Sequence, residues 1–108
     1  MGTTPEIVLL YSTFPDRESA LKAARALVEK RLIACANVND GITSVYRWEG
    51  KIQQENEVTL IAKTQKKTLG QAMKQLKQLH PYTVPCIVAL PIAEGDAAFL
   101  DWVKEETK

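Results

Sequence analysis

The chain has 108 residues, 45% of them apolar and 25% charged. That balance fits one folded domain over 1–108 with a single two-layer core, and it speaks against disorder. Lys plus Arg is 14 and Asp plus Glu is 13, so the chain lacks the basic excess of a dedicated nucleic-acid binder. Apolar runs such as Ile7–Leu10 and Ile87–Leu90 are too short to cross a bilayer.

The elements follow in chain order. Ile7 to Thr13 is a short Ile/Val-rich run that reads as a strand buried on both faces. Phe14-Pro15-Asp16 breaks it and opens a helix. From Asp16 to about Lys30, Ala20, Ala24, Leu27 and Val28 recur at helical spacing, with most charges elsewhere on the wheel. Leu32 to Val38 is a second apolar run, and Asn39-Asp40-Gly41 reads as a turn or bulge. Ile42 to Trp48 is β-branched and aromatic, and alternation places Ile42, Ser44, Tyr46 and Trp48 on one face. Glu49-Gly50 is a tight turn, so Gly41–Thr64 reads as a long hairpin with a polar, projecting tip. Leu69, Ala72, Met73, Leu76 and Leu79 predict a second helix from about Lys67 to Leu79, which stops before His80-Pro81. Val84 to Ile92 is a strand with a proline near each end, which suggests an edge. Gly95-Asp96 opens a last helix through about Val103. No Gly/Ser/Pro-rich tract divides the chain.

The order β-α-β-β-α-β plus a terminal helix predicts an α+β, ferredoxin-like sandwich. Two helices cover one sheet face. The strands are too apolar on both sides to leave the other face in water, which predicts a homo-oligomer.

Candidate chemistry is sparse. His80 is the one imidazole and lies in a loop, where functional groups gather. It could supply one metal ligand, whereas a closed zinc site needs about four. The competing role is structural, with a hydrogen bond at a helix C-terminus. Cys35 and Cys86 lie in apolar runs without a CxxC spacing, so both are expected to be reduced and mostly buried. A thiol at Cys35 could join a soft-metal site only if a partner from another strand or subunit approached. Tyr46, Trp48 and Tyr82 could stack on a ligand, although alternate aromatics more often serve a core or interface. Lys63, inside an apolar strand run, either reaches into a cleft or snorkels to solvent. Asp40, Glu55, Asn56 and Glu57 offer oxygens near the hairpin, and such residues are mostly solvated. No GxGxxG, Walker or GxSxG motif is present, so no enzyme is expected. Met1–Glu6 shows no secretory pattern. With two cysteines and no disulfide framework, the expected compartment is the cytoplasm.

Three stretches carry a family resemblance. Arg31-Leu32-Ile33-Ala34-Cys35-Ala36-Asn37 resembles an RLAACVN segment. Ile42 to Ile52 resembles an ITSxYxWxGKI hairpin. His80-Pro81-Tyr82-Thr83-Val84-Pro85-Cys86-Ile87 resembles an HPYxVPxI segment, and Leu90-Pro91-Ile92 matches beyond it. These motifs are similar to those of the CutA family, the divalent-cation tolerance proteins, and the likeness runs from about Ile7 to Trp102. The resemblance implies a tight homotrimer of ferredoxin-like subunits in the cytoplasm, associated with tolerance to copper and other divalent metals. Copper-binding bacterial members carry a Cys late in the first strand and a His-His pair before Pro-Tyr. This chain has Ser12 and Leu79-His80 at those places, so weak Cu²⁺ binding that depends on His80 is expected. The architecture also resembles the PII signalling trimers. That likeness gives an alternative, in which a cleft near Tyr46, Lys63, His80 and Tyr82 holds a small molecule.

Overall fold

The fold was derived from a computed structural model, which describes residues 6–108. The expectation concerning Met1–Pro5 lies outside the described residues. Four strands and three helices follow one another: β1 (Ile7–Phe14), α1 (Arg17–Glu29), β2 (Cys35–Trp48), β3 (Lys51–Gln65), α2 (Lys66–Leu79), β4 (Ile87–Pro91) and α3 (Ala97–Glu106). The strands form one sheet in the order β2-β3-β1-β4, and every neighbouring pair is antiparallel. β1 and β2 therefore run the same way with β3 between them, joined by α1.

Local chemistry sets the helix starts. The Asp16 carboxylate accepts a hydrogen bond from the Ser19 N–H at 2.7 Å, and the Asp96 carboxylate accepts one from the Phe99 N–H at 3.1 Å. Each satisfies an orphan donor in the first turn. α1 turns Ala20, Ala23, Ala24 and Leu27 inward, and α2 turns Thr68, Ala72 and Leu76 inward. They pack on Leu10, Phe14, Val58, Leu60 and Ala62 of the two central strands. The small alanines let the helices approach the sheet closely.

Alternation along the strands sends Ile7, Leu9, Tyr11, Ile61, Lys63 and Gln65 to the opposite face. α3 covers one end of that face, where Leu100 and Val103 pack with Ile7 and Ala34. Gln65 Nε2 donates to the Thr107 carbonyl at 2.7 Å and fixes the helix end there. The rest of the face keeps half-buried Leu9, Tyr11 and Ile61 beside exposed Val88 and Leu90.

Several bounds differ from the sequence reading. Cys35 to Trp48 is one continuous strand, because a bulge between Asn39 and Ile42 absorbs the Asn39-Asp40-Gly41 interruption. Gly41 supplies the left-handed backbone there, at φ +87°. β4 is shorter than expected, covering Ile87–Pro91 as an edge strand. α3 runs three residues past Val103 to Glu106. Trp48 pairs with Lys51, so the hairpin turn is the two residues Glu49 and Gly50, both with positive φ. The hairpin reaches beyond the sheet and helps give the chain a long axis of 53 Å. Its outer half is not simply polar, since Val45, Tyr46, Trp48 and Ile52 are exposed on it.

Candidate functional site

A polar cluster of His80, Tyr82 and Glu57 sits where the hairpin leaves the sheet. His80 caps the C-terminal end of α2 and is 8% exposed. Its ring stacks on Phe14 at a centroid distance of 4.1 Å. Nε2 lies 2.8 Å from the Thr13 carbonyl, and Nδ1 accepts from the Tyr82 N–H at 3.1 Å. These two contacts assign the neutral tautomer with the proton on Nε2. Burial holds the His80 pKa below the ordinary imidazole value, against the opposing pull of the Thr13 carbonyl and the Glu57 charge.

Tyr82 follows two residues later, its ring 5.1 Å from the His80 ring. Its hydroxyl donates to Glu57 Oε2 at 2.7 Å. Burial, then this bond, pushes the Tyr82 phenol far above its usual range. Glu57 is 9% exposed near the middle of β3, where the hairpin begins to project, paired with Ile42 of β2. Glu55 and Tyr46 lie further out on the same hairpin face, since Ser44 pairs with Glu55 and Tyr46 with Gln53. Desolvation and then the charges of Glu55 and Glu57 raise the Tyr46 phenol pKa. Cys86 feels the same field: partial desolvation and then Glu57 push its thiol up, although the residue itself lies on an exposed loop.

The structure thus brings Tyr46, Tyr82 and His80 into one neighbourhood and leaves Lys63 out of it. Lys63 stands six residues along β3 from Glu57, about 20 Å away at strand rise. It pairs in register with Cys35, and its ammonium donates to the Asn37 side chain. The Cys35 thiol pKa is raised by burial, with the Lys63 charge opposing. Within one chain His80 and Cys35 therefore belong to separate sites. Both cysteines are free thiols, and Cys86 is exposed rather than buried as expected, because it falls in the loop before β4. Glu57, grouped in the sequence with the solvated acids of the hairpin, is instead buried. It ends the polar stretch Gln53-Gln54-Glu55-Asn56-Glu57 and carries no sign that the loop after α2 folds over it.

Two shallow grooves lie elsewhere. One, of about 550 Å³, runs between α1 and β2 along Arg17, Leu21, Arg25 and Val38. The other, of about 440 Å³, lies between α2 and the loop before β4 along Met73, Lys77, Val84 and Pro85.

The family model for the CutA1 divalent ion tolerance protein matches residues 8–106. The chain belongs to the CutA1 family. The divalent-cation tolerance protein CutA of Thermus thermophilus is 49% identical, over 94% of this chain and 97% of its own length. The chloroplastic protein CutA of Arabidopsis thaliana is 42% identical over 98% of this chain, which spans 58% of that protein. The crystal structure of CutA1 from Oryza sativa superposes with a TM-score of 0.94 at 38% identity, covering 99% of this chain and 98% of that one.

Membership in the CutA1 family raises the question of whether these residues fit a divalent cation. Among the described residues no group of three or more His, Cys, Asp or Glu side chains is placed to hold a metal ion. His80 has both ring nitrogens bonded within the chain. Ser12 Oγ is fully buried without a hydrogen-bond partner, and a neutral hydroxyl is a poor ligand beside thiolate or imidazole. The donor set of the described residues does not fit a closed metal site. No helix among the described residues is long and apolar enough to cross a membrane.

Proposed function

We propose that this CutA1 chain is a ferredoxin-like subunit of a cytoplasmic homotrimer, acting without catalysis as a metal-responsive or signalling module in divalent-cation tolerance. The observation that carries the assembly is the sheet face left half-covered by α3, with Val88 at 47% and Leu90 at 48% exposure beside Leu9, Tyr11 and Ile61. A contiguous apolar face of this kind calls for a partner surface. Free thiols support a reducing compartment. Copper binds weakly on this reading, because a metal reaching His80 Nδ1 must displace the Tyr82 N–H. Sedimentation equilibrium at micromolar concentration tests the assembly, and a mass near the single-chain 12.0 kDa rejects it. Calorimetric titration with Cu²⁺ tests the metal. Weak binding in the parent and less in His80→Ala is expected, whereas tight binding unaffected by that substitution rejects it.

A second reading is favoured by the Tyr46–Glu57–Tyr82–His80 cluster. In it the trimer is a PII-like regulator that holds a small molecule in clefts between subunits. The absence of a metal-type donor group among the described residues weighs toward this reading.

A further inference from the structure

Glu57 presents an electrostatic imbalance. Its side chain is 9% exposed, yet it has one protein hydrogen bond, from the Tyr82 hydroxyl to Oε2. Oε1 accepts none among the described residues and is not sealed off, since Ser12 Oγ is the one fully enclosed side-chain polar atom there without a partner; Oε1 is open to an incoming group. No Lys or Arg there comes within ion-pair distance; the two salt bridges are Arg17–Asp40 and Lys66–Glu6, both on other surfaces. A carboxylate largely withdrawn from water, with one oxygen bonded and the other open, gains from a countercharge at the open oxygen. The negative field of Glu57 reaches four neighbours: Tyr46, His80, Tyr82 and Cys86. Glu55 adds a second carboxylate on the same hairpin face. The walls around Glu57 are aromatic, with Tyr82 bonded to it and Tyr46 39% exposed two alternations outward.

We propose that Glu57, framed by Tyr46 and Tyr82, binds the cationic nitrogen group of an organic amine or guanidine. The donor set decides against a metal ion: hard divalent cations need about six oxygens, and two carboxylates with two phenols supply too few. An ammonium or guanidinium needs one carboxylate for a charge-assisted hydrogen bond and an aromatic face for its apolar rim. Tyr82 keeps Oε2 occupied and so directs Oε1 toward the incoming N–H. This inference rests on the small-molecule reading and names its ligand class. The same chemistry has two sources, a free organic cation or a Lys or Arg side chain of a second copy.

The probe is agmatine, which carries both nitrogen groups, titrated into the full chain and followed by amide chemical shifts. Glu57→Gln keeps the size of the side chain and an acceptor for Tyr82, so it separates charge from fold; Tyr46→Leu removes the exposed ring. Agmatine is expected to saturate the parent with shifts centred on Glu57, Tyr46 and Tyr82. Its affinity should fall about tenfold or more in Glu57→Gln and about threefold in Tyr46→Leu. Sedimentation of the same proteins distinguishes the sources. If agmatine does not bind and Glu57→Gln weakens self-association about tenfold, the cation belongs to a second copy. Equal agmatine binding by parent and Glu57→Gln overturns the proposal, and so does no binding combined with unchanged self-association. An intact oligomer that ignores agmatine and tolerates Glu57→Gln would sink this ligand class while leaving the trimer standing.

Discussion

At the scale of single residues, two side chains in and beside the core behave unlike their neighbours. Ser12 stands between Leu10 and Phe14 on the helix-facing side of β1, its hydroxyl buried and unpartnered. An unsatisfied buried hydroxyl costs roughly 1–3 kcal/mol, while a methyl group at the same place costs nothing of that kind. Ser12→Ala is therefore expected to stabilise the fold by about 1 kcal/mol, read as a rise in the urea midpoint; a loss of stability would show that the hydroxyl has a partner. His80 is held neutral by burial, with a folded pKa below its ordinary value. The unfolded chain binds a proton near pH 6.5 and the folded chain only at lower pH. Stability therefore falls as pH drops from about 6.5 toward the folded pKa and levels off below it. Urea midpoints between about pH 5 and 8 check this. His80→Phe, which keeps a ring over Phe14, should remove the part of the slope that lies near pH 6.

At the scale of elements, the hairpin is the feature whose geometry depends most on its turn. Glu49 and Gly50 sit at φ +49° and +78° between the paired residues Trp48 and Lys51. Two left-handed residues make the turn whose twist matches antiparallel strands. Nothing lies within 4 Å of a Cβ placed at Gly50, so Gly50→Ala tests backbone strain alone. A loss of roughly 1 kcal/mol is expected. Glu49→Asn should gain a few tenths of a kcal/mol, because Asn tolerates this conformation better. Thermal melting of the two variants settles the signs, and a neutral Gly50→Ala would mean that the turn relaxes to another type.

At the scale of the whole molecule, the proposed trimer links stability to assembly. The sheet face with Leu9, Tyr11, Ile61, Val88 and Leu90 is only partly covered within the subunit. Burying it against further copies adds about 25 cal/mol per Å² of apolar area that a subunit of this size lacks alone. The parent should melt above the ordinary range of about 45–65 °C for small domains. Leu90→Lys should leave an isolated subunit nearly unaffected, since Leu90 is 48% exposed there. In an assembly it places a charge in an apolar interface. A shift of sedimentation mass toward one chain and a drop in Tm of about 10 °C are expected. An unchanged mass would place the interface on another surface.

The sequence by itself determined the secondary structure and its order. Helical spacing at Ala20, Ala24 and Leu27, the break at Phe14-Pro15 and the Glu49-Gly50 turn are local signals, each written within a few residues. The family, too, was legible in motifs that are contiguous in the chain. Tertiary structure decided which of the marked residues meet. Tyr46 and Tyr82 share a neighbourhood because the loop after α2 returns to the base of the hairpin, whereas Lys63 is carried away along β3 toward Cys35. It decided that the single histidine uses both nitrogens inside the chain, and that Glu57, read as one more solvated acid, is buried under a tyrosine. Apart from the local Tyr82 N–H bond to His80 Nδ1, these outcomes depend on contacts between residues 25 to 67 apart in the chain. Neither periodicity nor propensity registers such contacts, because both describe only how a segment presents its own faces.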